Sequence, residues 1–106
     1  MPAYAVAHMR RVTMGPAIVE YLERIDATLA PFGGRFIVHG GEFELLEGSW
    51  PGNLIVIEFP DRGQASAWYN SDAYSKIVAL RTGNSESDVI MIDGVGREHK
   101  ATDVLG

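Results

Sequence analysis

At 106 residues, with 46% hydrophobic and 22% charged side chains, the chain has the length and balance of one ordinary globular domain. Its 9 Lys plus Arg against 14 Asp plus Glu leave a net charge of -5, and the cations are scattered apart from Arg10 and Arg11, so no nucleic-acid surface is expected. The absence of cysteine excludes a disulfide framework, a thiolate metal site and a cysteine nucleophile, and with no signal-like start and no apolar run near ~18 residues the sequence reads as cytosolic, without a membrane span.

Residues 3–11 are short and apolar-rich and predict a first strand. Thr13 is expected as the N-cap of the helix that follows, with Pro16 in its first turn. Ile18, Tyr21, Leu22, Ile25, Leu29 and Phe32 then recur at three- and four-residue steps, while Glu20, Glu23, Arg24 and Asp26 take the other side, the pattern of an amphipathic helix. Gly33 and Gly34 supply its stop.

Residues 35–46 predict a second strand, long and bent at Gly40 and Gly41. The turn-rich residues 47–53 lead into a third strand over 54–59, making a hairpin. Asp61 with Gln64 resembles a capping box opening a helix through Trp68 and Tyr69. Ser71 and Asp72 offer a cap for a second helical segment over 73–81, with Tyr74, Ile77, Val78 and Leu80 inward. A loop over 82–87, a fourth strand over 88–93 and a polar tail over 95–106 complete a single domain whose core is 3–94.

This β-α-β-β-α-β order predicts an α+β, ferredoxin-like fold. Right-handed crossovers would place both helices on one side of a four-stranded antiparallel sheet and leave the other side bare. Side chains alternate along a strand, which assigns Ala5, Ala7, Met9, Phe36, Val38, Ile55, Ile57 and Phe59 to the helices. Tyr4, Val6, His8, Arg10, Arg35, Ile37, His39, Leu54, Val56 and Glu58 go to the open face. That face is too apolar to stand in water, and homodimerisation through it is expected.

The ionisable groups among these residues carry two readings. In one, Glu58 pairs with Arg35 or a histidine and sets the dimer register. In the other, His39, Glu58 and His8 are candidate general acids or bases of a small-molecule site, with Arg35 or Arg81 holding an anionic group. Trp68, Tyr69 and Tyr74 read as core packing or as the aromatic wall of that site. The histidines have no metal-binding spacing, no glycine-rich phosphate loop exists and no serine sits in a hydrolase elbow, so neither metal nor cofactor is expected.

The run over 33–60 (GGRFIVHGGEFELLEGSWPGNLIVIEFP), the AWYNSDAY segment carrying Trp68, Tyr69, Ser71 and Tyr74, and IMIDG at 90–94 closely resemble the domain of unknown function 1330 family. The resemblance spans nearly the whole chain, apart from the tail after Gly94. It implies a ferredoxin-like fold dimerised sheet to sheet into an α+β barrel. That architecture is shared by small monooxygenases of antibiotic biosynthesis, muconolactone isomerase and stress-responsive barrel proteins. It carries over fold positions and no catalytic residue.

Overall fold

The computed structural model describes Met1–Gly106. Its elements are β1 (Ala3–Val12), α1 (Pro16–Leu29), β2 (Arg35–His39), β3 (Asn53–Phe59), α2 (Arg62–Tyr69), α3 (Asp72–Ser75), α4 (Val78–Thr82) and β4 (Ser85–Asp93), with short 3₁₀ turns at Ala30–Phe32 and Ala101–Leu105. The four strands form one antiparallel sheet in the order β2-β3-β1-β4, the ferredoxin-like arrangement. No helix is long and apolar enough to cross a membrane.

The core lies between the helices and one sheet face. Ala5, Ile57 and Phe59 meet Tyr21, Ile25 and Leu29 of α1, with Trp68, Tyr74 and Ile77 filling in from the second helical region. This follows the alternation expected for β1 and β3. Asp61 caps α2 by accepting the Gln64 N–H at 2.8 Å, and Ser71 caps α3 through the Tyr74 N–H at 3.2 Å.

Several expectations change. Thr13 does not cap α1: Gly15 holds that position without a side-chain bond, and the Thr13 N–H donates to the Asn84 carbonyl. The second helical region is not one segment over 73–81 but α3 and α4, and the side chain it buries near its end is Arg81. β4 starts at Ser85, earlier than expected.

The largest change is in β2. It ends at His39, and Gly40 and Gly41, at φ +69° and +91°, turn the chain out of the sheet into an irregular arm over 40–52. The register with β3 also slips, Phe36 facing Ile57 but Val38 facing Val56 and His39 facing Ile55. This bulge at Ile37 inverts the alternation beyond it. Val38 therefore belongs to the open face, and His39 to the helix side.

Candidate functional site

Between sheet and helices lies a cavity of about 370 Å³. Its floor is β1, where Ala5 and Ala7 sit between the larger Ile55 and Ile57 of β3 and Val89 of β4. Alanine is a weak strand former, and here its short side chain leaves the room that a Leu or Phe would occupy. Ile18, Tyr21, Leu22 and Ile25 of α1 form the roof, and Trp68, Tyr69, Tyr74 and Arg81 complete the wall. Sixteen of the 20 lining residues are hydrophobic, so the few polar groups decide what the space can recognise.

Two tyrosine hydroxyls and Arg81 gather at one end, while His39 and Asn53 line the other. The Tyr21 and Tyr74 hydroxyls lie 2.7 Å apart in a buried hydrogen bond, their rings edge to face. Beside them is Arg81, only 7% exposed, donating to Ser87 Oγ of β4 at 3.2 Å. The ion pairs of the chain use Arg10, Arg24, Arg35, Arg62 and His99, leaving Arg81 a buried cation without a carboxylate. Burial pushes its pKa down, but the oxygens of Tyr74 and Tyr21 outweigh this and hold it above the ordinary arginine value. The Tyr21 phenol is raised, first by burial and then by Tyr74, against an opposing pull from Arg81. At neutral pH Arg81 is thus a fixed positive charge beside the protonated Tyr21 hydroxyl.

Trp68 has its own partners. Its indole N–H donates to Thr28 Oγ1 at 3.0 Å, its ring packs 4.2 Å from that of Tyr74, and it is 2% exposed, so it serves both as core and as cavity wall. Tyr69 lines the same space with its ring more exposed. At the opposite edge is His39, stacked on Phe36 with ring centroids 4.3 Å apart. His39, Ile55, Ala7 and Val89 form one row across the sheet. Three interstrand spacings separate the ends of that row, about 14 Å.

The remaining candidates stand elsewhere. Arg35 and Glu58 pair on the open face at 2.9 Å. His8, on the same face, has Nε2 2.7 Å from the Pro51 carbonyl and its ring stacked 4.3 Å from Trp50, so it anchors the base of the 40–52 arm. The enclosure of His8, His39, Glu58 and Arg35 on one face is therefore not what the fold builds: three lie there, and His39 does not. No group of three or more His, Asp or Glu side chains is gathered closely enough to hold a metal ion.

A family model described as Domain of unknown function (DUF1330) matches residues 2–95. The chain belongs to the DUF1330 family. None of the curated proteins matches it. Among solved structures, this DUF1330 chain is similar to RPA0582 of Rhodopseudomonas palustris, a protein of unknown function, at TM-score 0.69 and 18% identity over 90% of this chain and 83% of that one. A dimeric ferredoxin-like protein of unknown function from Jannaschia sp. CCS1 gives TM-score 0.70 and 11% identity, covering 89% and 100%. SnoaB, a cofactor-independent oxygenase from Streptomyces nogalater, gives 0.65 and 9%, covering 93% and 98%. At such identities the likeness concerns the fold.

Helical periodicity alone puts Tyr21 of this DUF1330 protein in the core and says nothing of its hydroxyl. A buried phenol needs a partner, and that requirement is the sequence signal for the Tyr21–Tyr74 pair.

Proposed function

We propose that this protein is a cytosolic homodimer, paired through its open sheet face into an α+β barrel, that binds a small metabolite in the cavity between sheet and helices. The observation that carries the reading is the alanine floor under an apolar roof, a space of about 370 Å³ with polar groups at its two edges. The reaction class that fits such a space is cofactor-free acid/base or oxygenase-like chemistry. An apolar space with fixed donors at one end stabilises a developing oxyanion. The likeness in fold to a cofactor-independent oxygenase supports that class by analogy.

Support for the pairing comes from the open face itself. Ile37, Ile90 and Ile92 are exposed there, beside Val6, Val56 and Tyr4. A matching fold described as dimeric points the same way. The alternative, a structural module whose polar groups only set dimer register, is favoured for the open face by the Arg35–Glu58 pair and the anchored His8. It leaves the cavity unexplained.

The test is binding of the neutral fluorescent probe N-phenyl-1-naphthylamine to the wild type and to Ala7→Phe. Saturable binding that Ala7→Phe abolishes while keeping its fold supports the reading, and equal signals from both proteins overturn it. Aerobic incubation of ligands found in this way, followed by mass spectrometry, reads the reaction class. A ligand recovered unchanged argues for binding alone.

A further inference from the structure

Arg81 is the only cation that the fold buries, at 7% exposure, and it has no carboxylate partner. Withdrawing a guanidinium from water is unfavourable unless a counter-charge or enough hydrogen bonds replace the lost hydration. Its neighbours are neutral: Ser87 Oγ at 3.2 Å and the hydroxyls of Tyr21 and Tyr74. The nearby strand offers Ser85 Oγ, 3.2 Å from Ser87 Oγ, again neutral. The side chain lines the cavity, so the space in front of it is where an anion completes the set.

The rest of the cavity sets the shape of that anion. An engineered apolar cavity of about 150 Å³ takes one benzene. The present 370 Å³ suits roughly two fused rings. The walls include the aromatic side chains of Trp68, Tyr74 and Phe36, which favour a flat guest. No other Lys or Arg lines the space, and the far edge carries His39, about 14 Å from Val89 across the sheet.

Resting on the reading of this cavity as a small-molecule site, we propose that its ligands are flat, apolar monoanions such as aryl carboxylates or phenolates, seated with the anionic group against Arg81 and the Tyr21–Tyr74 pair. The charge is recognised at the buried end and the ring system by the alanine floor.

The experiment compares 2-naphthoate with its neutral isostere 2-naphthamide as competitors of N-phenyl-1-naphthylamine in the full-length protein. The expected result is that naphthoate binds about tenfold more tightly than naphthamide or better. Arg81→Met should remove the difference, and Arg81→Lys should keep part of it. Equal affinity of the two compounds for the wild type overturns the assignment, and this comparison needs no variant to fold. A preference that survives in folded Arg81→Met overturns it as well. If the neutral probe binds and Ala7→Phe blocks it while naphthoate gains nothing over naphthamide, the anion assignment falls and the cavity reading stands. If Ala7→Phe leaves probe binding unchanged, the cavity reading falls first.

Discussion

Tyr21 shows how one buried hydroxyl ties stability to pH. Burial, reinforced by Tyr74, raises its pKa above the ordinary tyrosine value of about 10. The native state therefore holds the proton more tightly than the unfolded chain. The stability this contributes is complete below about pH 10 and is lost as the pH climbs toward the folded value. The melting temperature of the wild type is expected to fall more steeply above about pH 10 than that of Tyr21→Phe. At neutral pH the same variant should be less stable by about 1 kcal/mol, the size of one hydrogen bond. Parallel slopes for the two proteins would contradict the burial argument. Glu58 supplies the opposite lesson. Its pair with Arg35 is partly exposed and on the face away from the cavity. Glu58→Gln should shift stability by about 1 kcal/mol or less, and probe affinity should stay as in the wild type.

Among the elements, β2 and the arm that follows it decide where His39 points. A two-residue alternation carried through Phe36, Ile37 and Val38 puts His39 on the open face, and one extra residue at the bulge reverses it. The paired glycines at 40 and 41 signalled a break in the strand, but nothing in the residue pattern marked the slip at Ile37. The arm is fastened at its far end as well. Gly52 sits at φ +81°, and a Cβ there would come within 1.8 Å of the Met9 carbonyl oxygen. Backbone cannot yield as a flexible side chain does, so Gly52→Ala should destabilise the protein by at least ~2 kcal/mol in urea denaturation. A loss within ~0.5 kcal/mol would show that the arm relaxes independently of β1. Trp50→Ala removes the stacking partner of His8 and should speed amide exchange across the arm without altering exchange in β1.

At the scale of the molecule, one sheet face packs helices and the other meets water with Ile90 and Ile92 about half exposed, at 55% and 48%. The arm adds Phe43, Leu45 and Leu46, and Leu46 is 81% exposed. Self-association removes this apolar surface from water. Light scattering is expected to give twice the 11.6 kDa mass of the chain at micromolar concentration. Ile90→Lys, central on β4 opposite Val6, should shift the protein toward monomer and lower its melting temperature. A wild-type monomer under these conditions rejects the barrel.

The order of elements, the ferredoxin-like class, the helix caps at Asp61 and Ser71 and the inward sets of β1 and β3 are all legible in the chain. All of these follow from local periodicity and local hydrogen bonding, which the chain carries in its neighbouring residues. That Arg81 is buried beside Tyr21 and Tyr74, that alanines on β1 leave a cavity and that His39 lines it emerge only in the folded molecule. Each of those depends on residues far apart in the chain meeting across the sheet. A bulge, an unpaired buried charge and an unfilled volume are properties of the packed whole, with no period in the sequence to announce them.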